Sequence, residues 1–231
     1  MKINVSWDPQ VSSKFPNLAI SIGLINGVCI EDNSQQLCLL KKTVYEEVNG
    51  QFEIDRLKEN LTVRAYRDFY WKLDIDPTKT RPSGEALLRR VLRAEELPNI
   101  STAVDSYNLA SMKTIVPISG FDSERTAPPF QVRFAKENET FIGIGMKTPI
   151  LLKRNMLVLA DKKQVLCIYP YRDCNDSKIT LKTPNITLVG YGVPGVTSGQ
   201  IKEAVEMALK FIREVAGGTI ESTNVFCSGH E

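Results

Sequence analysis

The hydrophobic pattern of this 231-residue chain changes from helical to extended at Phe130. Upstream, charged amphipathic stretches predict four helices, over 41–60, 64–73, 83–94 and 101–112. Downstream, short apolar runs, one of them alternating strictly, predict five strands, over 130–134, 140–145, 156–161, 164–169 and 185–190. Helices in one group and antiparallel strands in another indicate an α+β fold, with mixed or antiparallel sheets and flanking helices.

The chain is predicted to divide into two parts. Residues 1–62 read as a small α/β segment packed on a main domain at 63–231, with an apolar, β-branched strand over 18–25. Near the other end, Thr197-x-x-Gln200 is a capping box, and it begins a helix that ends at Gly217-Gly218. This last helix is the most clearly marked element of the sequence.

Composition excludes several kinds of protein. Five cysteines form an odd set without a Cys-x2-Cys pair, which disfavours a disulfide framework and a structural zinc site. The single histidine is His230, so a Ser-His-Asp triad and a His-based metal site are not expected. No signal peptide is predicted after Met1, and no apolar run is long enough to span a bilayer. We therefore expect a cytoplasmic protein without a bound metal.

No cofactor is predicted either. The sequence lacks a phosphate loop, a dinucleotide fingerprint and a serine elbow, and Gly143-Ile-Gly145 is too short to be any of them. Chemistry would then depend on carboxylates, hydroxyls and backbone amides. Because the only imidazole is terminal, the sequence predicts no activity that titrates between about pH 6 and 7.

The segment from Arg64 to Arg93 is locally basic. It holds eight lysines and arginines against four acids, whereas the net charge of the whole chain is only +2. Such a surface is typical of proteins that bind a phosphate backbone, because clustered cations release condensed counterions. The predicted RNA-binding residues are Lys79, Arg81, Arg89, Arg90 and Arg93, with the three arginines on the outer face of their helix. The alternative is an ordinary solvated helix face.

Four aromatic residues occur together in the second predicted helix, at Tyr66, Phe69, Tyr70 and Trp71. Exposed rings of this kind stack on nucleic-acid bases. The alternative is that they form part of the hydrophobic core, as aromatic clusters more often do.

Polar side chains that could carry chemistry recur in three places. They are Asn108 in the fourth helix, Ser119 and Asp122 in the Pro-Ile-Ser-Gly-Phe-Asp segment, and the run from Arg172 and Asp173 to Thr180. Each also has a structural interpretation. Asn108 can bond buried backbone, Asp122 can close an Asx turn, and Arg172 with Asp173 can form an ion pair.

Several motifs occur in an order that is similar to one family. They are Leu97-Pro-Asn-Ile-Ser-Thr-Ala-Val-Asp-Ser-Tyr-Asn-Leu109, Val116-Pro-Ile-Ser-Gly-Phe-Asp122, Gln131-Val-Arg-Phe-Ala135, Leu157-Val-Leu-Ala-Asp161 and Thr183-Pro-Asn-Ile-Thr-Leu188. In this order they resemble the tRNA-binding and editing domain of the phenylalanyl-tRNA synthetase beta subunit. The upstream Asp76-Pro-Thr-Lys-Thr-Arg-Pro-Ser83 is similar to free-standing proteins built on that domain.

The resemblance implies an ester-hydrolysing pocket with altered chemistry. In the synthetase this pocket hydrolyses tyrosine wrongly attached to phenylalanine tRNA. The family histidine falls on Ser119 and the family glutamate falls approximately on Val189, so both groups are replaced here. The ATP-binding motifs of the synthetase are absent from this sequence, which excludes aminoacylation by the chain alone.

The leading hypothesis is a tRNA-associated protein that removes misattached amino acids in trans, as an aminoacyl-tRNA deacylase. Its expected partners are tRNA and the amino acid moiety of aminoacyl-tRNA. The predicted catalytic residues are Ser119, Asn108 and Thr180, and the predicted substrate-binding residues are Asp122, Arg133, Arg172 and Asp173. The alternative is a non-catalytic module that binds RNA or an amino acid.

Overall fold

A computed structural model describes residues 3–229 of the chain. These residues form six α-helices: α1 (Pro9–Lys14), α2 (Gln35–Gln51), α3 (Leu61–Lys72), α4 (Ser83–Leu92), α5 (Thr102–Thr114) and α6 (Ser198–Ala216). They also form eleven strands: β1 (Val5–Trp7), β2 (Ala19–Asn26), β3 (Ile118–Asp122), β4 (Phe130–Phe134), β5 (Thr140–Phe141), β6 (Ile150–Leu151), β7 (Leu157–Ala160), β8 (Val165–Ile168), β9 (Arg172–Asp173), β10 (Asn185–Tyr191) and β11 (Thr219–Cys227). The predicted α+β fold is confirmed.

One sheet has four antiparallel strands in the order β11-β2-β10-β3. Its helix-facing side approaches α6 closely, because a Cβ atom at Gly23 would lie 2.6 Å from Val205 Cγ1 and one at Gly190 would lie 2.7 Å from Val205 Cγ2. These two glycines therefore let the helix approach the sheet at close range. The last turn of α6 ends at Gly217, as predicted from the sequence.

The second sheet has five strands in the order β1-β4-β7-β8-β9. Strand β1 runs parallel to β4, and the other neighbours are antiparallel. Strands β5 and β6 form a separate two-stranded hairpin. The predicted strand over 140–145 is wrong beyond Phe141, because the chain turns at Gly143, whose carbonyl accepts from Met146 N, and Gly145 has a φ of +82°.

The two sheets meet through a tyrosine pair. Tyr169, which follows β8, and Tyr191, at the end of β10, lie with their ring centroids 4.9 Å apart in an edge-to-face arrangement. The hydroxyl of Tyr169 donates to the carbonyl of Gly192 at 2.5 Å. The polar end of the Tyr169 ring is thus tied to the backbone that directly follows β10 of the opposite sheet.

A second hydrophobic cluster lies among the helices. It is formed mainly by side chains of α2, α4 and α5, including Leu40, Leu88 and Met112. The helix predicted over 41–60 differs from the structure, since α2 begins earlier and ends at Gln51. Ser34 caps α2 by accepting from Leu37 N, and a short 3-10 helix over 54–59 follows.

The aromatic cluster of α3 belongs largely to the core. Tyr66, Phe69 and Tyr70 are buried, whereas Trp71 is 55% exposed. Phe69 packs edge-on against Tyr169, with ring centroids 6.2 Å apart. Three of the four rings are therefore unavailable for base stacking.

The N-terminal segment is built into both sheets. Strand β2 lies between β10 and β11, and β1 pairs with β4. None of the helices within residues 3–229 has the length and apolar character needed to cross a membrane.

Candidate functional site

Ser119 and Asp173 form a hydrogen bond between the two sheets. Ser119 lies on β3, the edge strand of the four-stranded sheet, and Asp173 lies on β9, the edge strand of the five-stranded sheet. The Ser119 hydroxyl donates to Asp173 Oδ1 at 2.5 Å. The cross-strand partner of Ser119 on β10 is Val189. The Asp173 carboxylate is thus brought to the contact between the two sheets.

The pKa of Asp173 is raised to about 6. Removal of the carboxylate from water is the largest cause, and the Ser119 hydroxyl, the Cys167 thiol and the Arg172 charge partly offset it. A carboxylate with such a pKa is ionised at neutral pH yet can accept a proton, which suits a general base. The expectation of an activity without titration between about pH 6 and 7 rested on the lack of an available imidazole and did not include this carboxylate.

Three buried groups surround Asp173. The Cys167 thiol has its pKa raised by burial first and by the Asp173 charge second, and Tyr107 shows the same two causes in the same order. For Tyr191, burial is again the main cause, followed by Cys167 and then Asp173. The Tyr191 hydroxyl is buried and has no hydrogen-bond partner in the described part of the chain. Asp173 therefore carries the negative charge of an otherwise uncharged cluster.

Arg172 precedes Asp173 on β9, but its guanidinium does not pair with the Asp173 carboxylate. It lies over the ring of Tyr171, 5.5 Å from the centroid, and donates to the Ile144 carbonyl at 3.4 Å. Its aliphatic stem crosses Gly143, where a Cβ would lie 2.6 Å from Arg172 Cδ. Among residues 3–229 its guanidinium forms no salt bridge, and Asp173 bonds Ser119 instead. The guanidinium is therefore available to an anionic ligand.

Asp122 and Thr180 belong to a separate network at the end of β3. Asp122 Oδ2 accepts from Thr183 Oγ1 at 2.8 Å, and Asp122 Oδ1 accepts from Glu124 N at 3.0 Å. Thr180 N donates to the same Thr183 hydroxyl at 3.0 Å, and Thr180 Oγ1 accepts from Lys182 N. The bond from Glu124 N closes a local turn, which agrees with the structural alternative for Asp122, and the bond from Thr183 ties that turn to the segment before β10.

Arg133 is buried and paired within its own sheet region. Its guanidinium donates to both carboxylate oxygens of Glu139, at 2.8 and 2.6 Å, and to the carbonyl of Phe134. A bidentate pair of this kind satisfies most of the arginine's donors. The structure therefore places Arg133 in a salt bridge, away from the hydrogen bond between Ser119 and Asp173.

Asn108 follows Tyr107 on α5 and is half-buried. The Tyr107 ring lies against Gly120 of β3, where a Cβ would be 2.7 Å from Tyr107 Cε1. The amide of Asn108 has no hydrogen bond within residues 3–229, so no bond joins it to Ser119. Of the seven predicted catalytic and substrate-binding residues, the structure brings Ser119 and Asp173 into direct contact.

Four of the five predicted RNA-binding residues are exposed, and the fifth is not. Arg89 was expected on the outer face of α4, but its side chain is only 16% exposed and donates to Glu85 Oε1 at 2.6 Å. Arg67 of α3 reaches the same carboxylate at 2.5 Å. Glu85 is fully buried, so it draws both arginines inward.

The remaining basic side chains are Lys79, Arg81, Arg90 and Arg93, all exposed. Lys79 is 84% exposed, with Nζ 3.9 Å from Asp76 Oδ2. Arg90 lies 4.0 Å from Glu95 and donates to the Glu96 carbonyl. The exposed surface is thus less basic than the sequence window suggested.

Sequence reasoning missed the roles of Cys167, Tyr191 and Tyr107 around Asp173. The signal for Cys167 was available, because its neighbours predict a buried strand whose side chains alternate between two faces. The other contacts depend on how the two sheets meet. Within residues 3–229, His, Cys, Asp and Glu side chains form no group of three or more that could hold a metal ion. His230 lies outside the described residues.

The profile of the B3/4 domain family matches residues 65–220. The match covers more than half of the chain, and it contains α4, α5, β3 with Ser119, and β9 with Asp173. The chain belongs to the B3/4 domain family.

Two similar proteins are beta subunits of phenylalanine–tRNA ligase. The subunit of Francisella tularensis is 28% identical over 191 residues, which cover 72% of this chain and 24% of the relative. The subunit of Haemophilus ducreyi is 29% identical over 156 residues, which cover 58% of this chain and 20% of the relative. The chain thus corresponds to about a quarter or less of the length of these relatives, and it resembles one part of a tRNA ligase subunit.

A solved structure has the same fold. It is an N-terminal fragment of the phenylalanyl-tRNA synthetase beta subunit from Pyrococcus horikoshii, with a TM-score of 0.53 and 14% sequence identity. The match covers 95% of this chain and 50% of that fragment. At this identity the comparison supports the fold assignment alone.

Proposed function

We propose that this protein binds tRNA and hydrolyses misattached aminoacyl esters in trans, in the cytoplasm. The observation that carries the proposal is the hydrogen bond from Ser119 to Asp173. The family resemblance places a histidine at position 119 and a glutamate near position 189, and these positions are cross-strand partners. Asp173 supplies a carboxylate at the place where the chain has lost both groups.

In this proposal Asp173 is the general base. Its ionised carboxylate takes a proton from a water molecule as that water attacks the ester carbonyl. The ester C–O bond then breaks, and Asp173 returns its proton to the leaving oxygen of the terminal ribose. The released amino acid loses its carboxylic acid proton to solvent and leaves as a carboxylate. The Ser119 hydroxyl holds one Asp173 oxygen in place, while Arg172 binds an anionic group of the tRNA end.

The other predicted site residues have supporting roles in this proposal. Asn108 is a candidate donor to the substrate, because its amide has no bond within the described residues. Asp122 and Thr180 shape the turn that follows β3, and Arg133 is held by Glu139. We therefore assign the chemistry to Asp173 and Ser119.

The proposal is tested by deacylation assays over a panel of mischarged tRNAs, measured as single turnovers. We expect the wild-type protein to release the amino acid from at least one of them. Asp173→Asn, which keeps an oxygen for the Ser119 bond but cannot take a proton, should lower the rate by about 100-fold or more. Lys162→Met, on an exposed turn, is the control. Tight tRNA binding without release by the wild type would instead identify a non-catalytic binding module.

A further inference from the structure

A groove of about 380 Å3 lies between the loop after α3 and the strands β7 and β8. One wall comes from the segment 73–80, which includes Asp76-Pro-Thr-Lys-Thr80, and another comes from residues 153–157. Neither Ser119 nor Asp173 lines it. Its volume is in the range of sites that take small molecules.

The groove presents apolar side chains among its polar ones. Leu73, Ile75, Met156 and Tyr171 line it as half-buried side chains, and Leu157, Ile168 and Tyr169 lie buried behind them. Several of these side chains are only half-buried, so they remain in contact with water. An apolar ligand group would remove this surface from water, which is favourable in proportion to the apolar area covered.

The charged side chains around the groove are balanced. Asp74 and Asp76 provide two carboxylates, and Lys79 and Lys153 provide two ammonium groups. A nucleic-acid backbone, which is uniformly negative, would meet both carboxylates here, so this groove is a poor place for RNA. A ligand with one positive and one negative charge would find a partner for each.

Asp74 and Lys153 form no salt bridge within residues 3–229, whereas Asp76 and Lys79 are weakly paired with each other. Asp76 Oδ1 accepts from both the backbone and the hydroxyl of Thr78, which holds the loop closed. Asp76 Oδ2 faces Lys79 at 3.9 Å, a long and exposed contact that contributes little. The Lys153 ammonium forms no salt bridge within residues 3–229.

We propose that this groove binds a free α-amino acid with a large apolar side chain. Its ammonium group would contact the Asp74 and Asp76 carboxylates, its carboxylate would contact Lys79 and Lys153, and its side chain would cover the apolar surface. The site is separate from the Ser119–Asp173 pair, and the inference does not depend on the proposed hydrolysis.

Titration calorimetry with leucine, methionine and phenylalanine, each alone and without tRNA, tests the proposal. We expect at least one of them to bind with one-to-one stoichiometry. Analogues that lack either the carboxylate or the ammonium group should bind about tenfold more weakly, since each loses charged hydrogen bonds. Met156→Trp should fill the groove with a larger side chain and abolish binding. Lys153→Met should weaken binding.

The controls separate this site from the catalytic proposal. Lys162→Met removes a lysine that does not line the groove and should leave binding unchanged, as should Asp173→Asn. Absence of binding by all three amino acids would overturn the proposal, and so would equal binding by the singly charged analogues. Preferential binding of adenosine monophosphate or inorganic phosphate would overturn it as well.

Discussion

Ser119 and Asp173 are joined by a hydrogen bond of 2.5 Å although they lie on edge strands of two different sheets. The bond holds the carboxylate near the uncharged side chains of Cys167, Tyr107 and Tyr191. Because Cys167 and Tyr191 are fully buried, the proton equilibrium of Asp173 is determined mainly by its removal from water. The pair therefore links the packing of the sheets to a group that titrates near pH 6.

The rate of deacylation should follow the ionisation of Asp173. Since only the carboxylate form accepts a proton, we expect the single-turnover rate to rise between about pH 5 and 7 and then to level off. A pH series with the wild type and Asp173→Asn measures this. The residual activity of the variant should lack the bend near pH 6, and an identical bend in both proteins would exclude Asp173 as the base.

Asp173→Asn should also change how stability depends on pH. The folded-state pKa of about 6 lies above the ordinary value of 3.8. Between these values the unfolded state has lost its proton while the folded state keeps it, so the wild-type free energy of unfolding falls as pH rises. The variant has no such loss. Its stability relative to the wild type should therefore increase by about 1 to 3 kcal/mol from pH 4 to pH 7, and remain constant above that.

Urea unfolding at several pH values measures this difference. Ser119→Ala is the informative comparison, because it removes a hydroxyl that favours the ionised form and should raise the pKa of Asp173 further. A stability difference between wild type and Asp173→Asn that is the same at pH 4 and pH 7 would contradict the assignment of a raised pKa.

Glu85 should be important for stability although it takes no part in the proposed chemistry. Burial alone would raise the pKa of Glu85, but the hydrogen bonds from Arg67 and Arg89 outweigh it and hold the pKa below its ordinary value. Glu85→Ala would leave two inward-facing guanidinium groups without their carboxylate. We expect a loss of about 3 kcal/mol in the free energy of unfolding.

Arg90→Ala provides the comparison on the same helix. Its side chain is 48% exposed, and it lies 4.0 Å from Glu95, so its removal should change stability by less than about 0.5 kcal/mol. Thermal and urea unfolding of both variants test the contrast. Equal losses would mean that the buried ion pairs do not contribute differently from exposed ones.

Helices and strands could be predicted where the residues that determine them lie close together in the sequence. The α6 boundaries were predicted because the Thr197–Gln200 capping box and the Gly217 end are local, and both are present in the structure. Strand β11 was missed because Thr, Ser and Asn dominate its centre and an irregularity between Ile220 and Ser222 breaks its alternation. It is stabilised instead by pairing with β2, almost 200 residues earlier in the chain.

The same distinction applies to the site. Ser119 and Asp173 were both selected from sequence, but their contact joins residues 54 positions apart and depends on how two sheets meet. Arg89 was placed on an outer helix face because helical periodicity gives no information about Glu85 and Arg67 as its buried partners. The sequence pattern identified the residues with suitable chemical groups, but the tertiary packing determines which of these residues interact.

Binding to tRNA should depend on the exposed cations of α4 and the loop before it. The double variant Arg90→Glu with Arg93→Glu reverses two exposed charges without disturbing the Glu85 ion pairs. We expect weaker tRNA binding, and a slope of log affinity against log salt that is smaller by about 2. Filter binding between about 50 and 200 mM salt measures it.

The matched control reverses Lys162 and Lys163, two exposed lysines on the turn between β7 and β8. This variant has the same net charge as the Arg90→Glu, Arg93→Glu protein, so an effect of total charge would appear in both. If the two variants bind tRNA equally at every salt concentration, the α4 surface is not the binding site.

Gly84 should be required for the packing of α4 against α5. A Cβ atom at this position would lie 2.7 Å from the carbonyl carbon and oxygen of Ile115 and 2.8 Å from Ser111 O. These are backbone atoms, which cannot rotate away as a flexible side chain can. Gly84→Ala should therefore destabilise the protein by about 1 to 3 kcal/mol. Replacement of a helical glycine by alanine usually stabilises a protein instead.

Gly50, near the end of α2, shows what that usual gain should be. A Cβ atom there would meet nothing within 4 Å, so Gly50→Ala should stabilise the protein by about 0.5 to 1 kcal/mol through helix propensity alone. Urea unfolding of the two variants under identical conditions compares them directly. Because both replacements make the same chemical change within a helix, opposite signs would show that the contact with α5 decides the outcome at Gly84. Stabilisation by both would show that α4 can move away from α5 at little cost, and the close contact would then not be required.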